Sequence, residues 1–271
     1  MRLTPSPVKQ LALENDIRAI SPETVKSDET LREIKSWGAE AAVVVAFGQI
    51  LPQAFLDIFP RKVVNVHASL LPRWRGAAPI QRAIEAGDRE TGVSLQVMVK
   101  KLDAGDVMGS YRINIDDAWD AVRLHDELLP LGAKLLRVEF NDYLRGSLTP
   151  APQDENLVTY APKIEKSEAR MDWAGKNAVQ IRNHIRAMTL GPGSVTKLND
   201  RQLKILWAEI ADTKIASAAA GAIVSIERDS FTVGCREGAL RVTRVQPESK
   251  PPMSTHDFLL GHKLKIGDRF I

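Results

Sequence analysis

A carboxamide and an imidazole stand two residues apart at the end of a short β-branched run. The run from Val63 to His67 predicts a strand, and alternation along a strand places the side chains of Asn65 and His67 on one face. In open α/β sheets, ligands bind at the carboxyl ends of strands. An amide donates to a developing oxyanion without titrating, and an imidazole exchanges protons near neutral pH. The pair could therefore serve acyl transfer, although both side chains could also merely cap the strand end.

A turn rich in acid and glycine supplies candidate carboxylates for the same chemistry. Asp103 and Asp106 flank Gly105 between two stretches of alternating hydrophobicity. A carboxylate beside an imidazole fixes its tautomer and can relay a proton through water. The sequence alone does not choose between the two acids, and either could simply accept hydrogen bonds from nearby turn N–H groups.

Covalent and metal chemistry have little support in the sequence. The single cysteine, Cys235, lies in a strand-like context, which favours a buried thiol over a nucleophile. Ser69 has no base at a motif spacing. The histidines show no His-x₃-His or cysteine pairing of the kind that binds zinc. No metal is therefore expected; the five histidines are His67, His125, His184, His256 and His262.

Composition places the chain among ordinary globular proteins. It has 271 residues, of which 44% are hydrophobic and 26% charged, and its net charge of +3 permits a nucleic-acid partner without requiring one. The lone cysteine indicates a reducing compartment. No apolar run reaches the ~18 residues that a membrane span needs, and the N-terminus lacks a signal pattern. We expect a monomeric, cytoplasmic protein without membrane contact.

The loop after the first polar pair carries a longer and more specific pattern. Ser69-Leu70-Leu71-Pro72 leads into Arg-Trp-Arg-Gly-Ala-Ala-Pro-Ile-Gln over residues 73–81. Together with the Asn-x-His strand end, this pattern resembles the folate-dependent formyltransferases. The segment over residues 73–81 is more specific to the methionyl-tRNA formyltransferases within them. The resemblance extends from Pro5 to the C-terminus.

The resemblance implies a reaction and its residues. A formyl group would pass from 10-formyltetrahydrofolate, as co-substrate, to the amino group of methionyl-initiator tRNA for translation initiation. The catalytic residues would be Asn65, His67 and Asp103, because the family's catalytic Asp precedes x-Gly. The implied folate-binding residues are Phe47, Gly48, Ile50, Leu51, Ser69, Leu70, Leu71 and Pro72. The implied tRNA-binding residues are Arg73, Arg75, Lys163 and Arg170.

Plainer interpretations of the binding segments stay open. Gly-x-x-Leu-Pro after residue 47 also fits an ordinary strand-to-helix turn. Arg-Trp-Arg also fits a surface ion-pairing turn, and the acids between Lys163 and Arg170 fit a solvated charged face. Two other functions remain as well: a related formyltransferase or hydrolase whose acceptor is a sugar-nucleotide amine or water, and a catalytically impaired form that only binds RNA or folate. The segment over residues 73–81 and a C-terminal domain argue against the other acceptors.

The predicted fold is α/β. Alternating strands and helices predict a Rossmann-like, mostly parallel sheet domain over residues 1–148, with a strand buried on both faces at residues 41–47. A proline-rich linker is expected over residues 149–173. Closely spaced β-type runs then predict a small OB-like β-barrel over residues 174–271, which the resemblance identifies as a tRNA-contacting domain.

The beginning of the chain differs from the family pattern. Pro5-Ser6-Pro7-Val8-Lys9 matches a motif that, in the family, follows a strand, a Gly-Thr-Pro loop, a helix and a second strand. Roughly 30–40 residues, the size of one βαβ unit, are therefore expected upstream. We expect that the start codon is assigned too far downstream, at Met1, and that a truly shorter product would be poorly stable and weak on tRNA.

Overall fold

The computed structural model describes residues 4–199, 201–211 and 219–271. The first part of the chain contains α1 (Pro7–Glu14), α2 (Asp28–Ser36), β1 (Ala42–Val45), α3 (Gln53–Leu56), β2 (Val63–His67), β3 (Arg75–Gly76), α4 (Pro79–Ala86), β4 (Glu90–Val97), β5 (Val107–Asn114), α5 (Ala121–Leu135) and α6 (Asn141–Arg145). The second part contains β6 (Tyr160–Ala161), α7 (Ala178–Ala187), β7 (Ser194–Leu198), β8 (Arg201–Ile210), β9 (Ile223–Ile226), β10 (Phe231–Gly234), β11 (Ala239–Pro247), β12 (Met253–Ser254) and α8 (Thr255–Gly261).

The first part forms a four-stranded sheet in the order β1-β2-β4-β5. β1 and β2 pair in parallel, as the sequence predicts. The strands predicted around Val93 and Tyr111 are also present, and both run antiparallel to their neighbours. The Rossmann-like α/β arrangement is confirmed, although the described part of its sheet is mixed.

β1 differs from its prediction as a strand buried on both faces. Ala42 and Val44 pack into a cluster with α2 and α3, but Val43 and Val45 are 40% and 59% exposed. Within the described residues β1 pairs only with β2, so its apolar run reflects one buried face and one exposed face. Residues 16–20, whose sequence is compatible with a brief strand, instead form a turn and irregular chain.

Helix α5 covers one face of β2. Leu124, Leu128 and Leu135 are buried in a cluster that includes Val64, and Val66 packs against its edge. A Cβ on Gly132 would come within 3.2 Å of the Val66 side chain, so this glycine permits a close approach of helix and strand. A proline within a helix predicts a kink or a short break. Helix α5 nevertheless continues through Pro130 to Leu135, and a π-helical turn follows over Leu136–Phe140. With this face covered by α5, Asn65 and His67 lie on the opposite face.

The connection between the domains is more ordered than a linker. β6 pairs in parallel with β3, matching Arg75 to Tyr160 and Gly76 to Ala161. Ala161 is fully buried, and Met171 and Trp173 belong to the second hydrophobic core. Residues 149–173, which the sequence predicts to be a linker, are therefore anchored at two places: backbone pairing holds their middle to the first part of the chain, and apolar burial holds their end to the second part.

The second part is an antiparallel sheet in the order β7-β8-β11-β10-β9, with β12 paired to β11. The C-terminal residues connect its two outer strands: the Phe270 N–H donates to the Gly221 carbonyl at 2.8 Å, and Ile271 exchanges two backbone hydrogen bonds with Lys197. These bonds close the sheet into the predicted barrel-like form. The Phe270 ring stacks between Trp173 and Phe231 in the core. The sequence did not predict strand β7 or helix α8.

Candidate active site

The end of β2 presents the predicted polar pair. Asn65 is half-buried and His67 is only 6% exposed. Asn65 lies between Val44 of β1 and Gln96 of β4 in the sheet register. Its carboxamide makes no hydrogen bond to any side chain or backbone group in the described part of the chain, so its N–H groups are available to a ligand.

The loop between β4 and β5 folds back over this face. It brings a carboxylate oxygen, Asp103 Oδ2, to 3.7 Å from His67 Nδ1, which is within ion-pairing distance. Asp103 adopts a left-handed backbone conformation with φ 46°, which Asp tolerates better than most residues. A Cβ on Gly105 would collide with the Val97 carbonyl oxygen, so the glycine allows the loop to lie flat against β4. Asp106, in contrast, is exposed.

Two neutral donors fix the Asp103 carboxylate. The Gly76 N–H donates to Oδ2 at 2.9 Å, and Gln96 Nε2 donates to Oδ1 at 2.8 Å. Gln96 is buried and was not predicted as a site residue. Its signal in the sequence was a polar position between Leu95 and Val97 in the alternation of β4, which alone does not show what the side chain faces.

The other ring nitrogen of His67 is also engaged. Nε2 lies 2.8 Å from the Trp74 carbonyl oxygen. A carbonyl only accepts, so Nε2 carries the proton of this bond and Nδ1 faces the carboxylate. Trp74 reaches this position with a left-handed φ of 64°. The Nδ1 atom therefore faces Asp103 Oδ2 across 3.7 Å, which is an ion-pairing distance but longer than a hydrogen bond.

The loop after β1 leaves the sheet beside the end of β2, because the two strands are parallel and Val45 is level with Val66. Phe47 is exposed and Ile50 is 81% exposed, and Gly48 between them is open to solvent. Leu51 instead packs partly into the cluster under β1. Apolar side chains with open surroundings at the carboxyl edge of a sheet suit a flat aromatic ligand.

The loop over residues 69–72 is held against β4. Ser69 is fully buried; its hydroxyl donates to the Arg73 carbonyl at 2.6 Å, and its carbonyl accepts from Ser94 Oγ at 2.7 Å. The Ser69 side chain is thus a brace within the loop, and direct folate contact by it is not supported. Leu70, Leu71 and Pro72 are only partly buried and remain available.

The predicted tRNA-binding cations fall into two groups. Arg73 is exposed, pairs with Asp88 at 2.6 Å and stacks over the Trp74 ring; the hydrogen bond that it donates to Asp88 raises the pKa of its guanidinium. Lys163 and Arg170 are also exposed. Arg75 requires a correction: it is fully buried and donates to Gln153 and Glu155, so its guanidinium cannot reach an RNA phosphate.

No group of three or more His, Cys, Asp or Glu side chains in the described residues could hold a metal ion. Among the same residues, no helix has the length and apolar character required to cross a membrane. Burial raises the pKa of the Cys235 thiol to about 12, which leaves it un-ionised and inert at neutral pH.

Comparison with known families and proteins gives a consistent result. Residues 2–138 match the model described as "Formyl transferase", and residues 163–263 match "Formyl transferase, C-terminal domain". A protein of Bdellovibrio bacteriovorus named methionyl-tRNA formyltransferase is 53% identical over 99% of this chain and 85% of its own length. A protein of the same name from Bradyrhizobium diazoefficiens is 43% identical over 100% of this chain and 86% of its own length.

Solved structures share the fold at low sequence identity. A variant of HypX from Aquifex aeolicus superposes with a TM-score of 0.69 at 20% identity, covering 93% of this chain; the match spans 45% of the HypX chain. WlaRD, described as a sugar 3N-formyl transferase, superposes with a TM-score of 0.66 at 18% identity, covering 90% of this chain and 82% of WlaRD. These likenesses establish the α/β domain and the β-rich C-terminal domain.

Proposed function

The chain belongs to the formyltransferase family, and we propose that it transfers a formyl group from 10-formyltetrahydrofolate to the amino group of methionyl-initiator tRNA, for use in translation initiation. The observation that carries this function is 53% identity over 99% of the chain to a methionyl-tRNA formyltransferase. The arrangement at the end of β2 suits the reaction. It brings together the unpaired amide of Asn65, the imidazole of His67 and the carboxylate of Asp103, which is fixed by hydrogen bonds from Gly76 and Gln96.

The proposed roles follow from the bonds that change. The methionyl amine attacks the formyl carbon, the carbonyl oxygen becomes an oxyanion, and the bond to N10 of the folate then breaks. Asn65 donates to the oxyanion, because its amide is unpaired among the described residues and does not titrate. The amine loses a proton and N10 gains one. His67 and Asp103, 3.7 Å apart, hold and pass that proton.

The proposed binding surfaces flank this pair. The folate donor lies along Phe47, Gly48, Ile50 and Leu51 and the backbone of Leu70, Leu71 and Pro72. The tRNA is bound by exposed cations, which are Arg73, Lys163 and Arg170. Trp74, stacked under Arg73, provides an aromatic surface beside them. Buried Arg75 and the hydroxyl of Ser69 are left out of these surfaces.

The proposal includes an organisation and a location. We assign residues 1–148 to a catalytic domain and residues 174–271 to a tRNA-contacting domain. Residues 149–173 connect the two domains, and the end of this connection packs into the second core. The enzyme acts as a monomer in the cytoplasm, where charged initiator tRNA is available.

The deciding experiment is formylation of methionyl-initiator tRNA by 10-formyltetrahydrofolate, comparing the unaltered chain with His67→Ala. Loss of the imidazole is expected to lower kcat by about 10²–10⁴-fold, the usual contribution of a general acid–base group. His125→Ala removes an exposed imidazole from α5 and serves as the matched control. A nucleotide amino sugar and water alone are tested as acceptors in parallel. Formyl transfer to the sugar, or none to the tRNA, would overturn the proposed function.

A further inference from the structure

One partly buried glutamine, Gln153, reaches the site from the connection between the domains. Gln153 lies outside both family matches, which cover residues 2–138 and 163–263. Its Nε2 donates to the backbone carbonyl of Asp103 at 2.8 Å and to that of Gly105 at 2.7 Å. A single side chain thus holds both carbonyls of the turn that presents the catalytic carboxylate.

Arg75 fixes the orientation of this glutamine. Its Nε and Nη2 both donate to Gln153 Oε1, at 3.0 and 2.9 Å. A guanidinium has only donors, so it must face the amide oxygen rather than the NH₂ group. Both amide protons of Gln153 then point toward the Asp103 turn. Every hydrogen-bonding position of the amide is filled in one orientation, and the flipped amide would place donors against donors.

The burial of Arg75 indicates that its contact with Gln153 does more than stabilise the fold. Moving a guanidinium out of water is costly unless it is well paired. Arg75 is fully buried, yet its carboxylate partner, Glu155, is exposed and also pairs with Lys101 at 2.7 Å. An apolar side chain would fill the same space at less cost. The guanidinium is the group that can orient the Gln153 amide.

We propose that Gln153, oriented by Arg75, is a positioning residue for Asp103 in formyl transfer. This inference rests on the proposed function. Gln96 and Gly76 hold the carboxylate oxygens, and Gln153 holds the backbone from which the carboxylate projects. Without it, the Asp103 turn is free to move away from His67 while substrates still bind. A misplacement of ~1 Å at a catalytic group can cost on the order of 10²-fold in rate.

The test uses two substitutions with different effects on folding. Gln153→Met keeps the length of the side chain and removes its hydrogen bonds with Arg75, with Gln96 and with the Asp103 and Gly105 carbonyls. Gln153→Glu keeps an acceptor for Arg75 but turns a carboxylate toward two carbonyls. For both we expect kcat to fall about 10–100-fold, while KM for tRNA and folate stays within about twofold, as for a lost transition-state contact. Gln10→Met, at an exposed glutamine of α1, is the matched control.

A spectroscopic readout separates this inference from the proposed function. In the substrate-free protein, the ring ¹⁵N signals of His67 are assigned by their absence from the spectrum of His67→Ala. They are then compared among the unaltered chain, the two Gln153 variants and Asp103→Asn. We expect both Gln153 variants to shift these signals toward the Asp103→Asn spectrum, whether or not the protein formylates tRNA. If the unaltered chain is active and both Gln153 variants keep its His67 signals and its kcat, the positioning role is overturned. The proposed function then still stands. If Gln153→Met fails to fold, the kcat and the His67 signals of Gln153→Glu alone test the positioning role.

Discussion

The charge of Asp103 can be separated from its shape. Asp103→Asn keeps an oxygen for the Gly76 N–H but removes the negative charge beside His67 Nδ1. We expect kcat for formyl transfer to fall about 10²–10³-fold, because proton transfer loses its partner. The melting temperature should fall modestly, because the NH₂ group of the asparagine replaces the oxygen that accepts from Gln96 Nε2.

Asp106→Asn is the matched control, because this carboxylate is exposed three residues away on the same turn. It should keep nearly full activity. An Asp103→Asn enzyme as active as Asp106→Asn would contradict the assignment of the catalytic acid to Asp103.

At this scale the sequence indicated the groups that we propose to react, but not the groups that hold them. Strand alternation placed Asn65 and His67 together, and the Asp-x-Gly motif selected Asp103. Gln96 and Gln153 could not be found in the same way. Gln96 meets Asp103 only because the turn folds back over β4, and Gln153 reaches it from a segment 50 residues later. Arg75 was misassigned for a related reason: a buried and an exposed arginine look alike in a sequence.

The pairing of β3 with β6 depends on one glycine. Gly76 has φ 127°, and a Cβ there would lie 2.5 Å from the Ala161 carbonyl oxygen. Gly76→Ala should therefore push the two short strands apart and withdraw the N–H that holds Asp103. We expect a loss of about 1–3 kcal/mol in the free energy of unfolding, from backbone strain and displacement, together with a fall in kcat.

Urea unfolding and the formylation assay measure the two effects in one preparation. Gly261→Ala, at a helical glycine with open space around its Cα, is the control and should be neutral or slightly stabilising. Equal stability of both alanine variants would contradict the close packing of β3 on β6.

Helices and strands with a clear hydrophobic period or a clear capping residue were predictable from the sequence. The elements that they pair or pack with were not. Helix α4 begins at Pro79 and ends before a left-handed Gly87, as its sequence indicates. β3 and β6 have two residues each, too few to show a period. Their pairing depends on the loop after β2 meeting a chain segment some eighty residues later. The connection therefore resembled a linker in the sequence.

The two halves of the molecule meet through a cluster of charges between α4 and the C-terminal part. Glu85 of α4 lies 3.4 Å from Nδ1 of buried His184 in α7 and 3.6 Å from Lys176 Nζ. Arg82 of α4 links Glu85 to Glu168, at 2.8 and 2.7 Å. The hydrogen bond from His184, followed by that from Arg82, lowers the pKa of the Glu85 carboxyl to about 2 from an ordinary 4.5.

This lowered pKa makes the joining of the halves sensitive to acid. Between pH 4.5 and 2 the unfolded chain binds a proton at Glu85 that the folded protein does not, so the stabilisation is complete above pH 4.5 and is lost as the pH falls toward 2. We expect Glu85→Gln to lower the free energy of unfolding by about 1–2 kcal/mol at pH 6, after solvent screening at this partly open site. The difference from the unaltered chain should shrink as the pH falls through that window. Urea unfolding at a series of pH values measures it, with exposed Glu23→Gln as the control; a difference that stays constant with pH would show that the Glu85 charge does not hold the halves together.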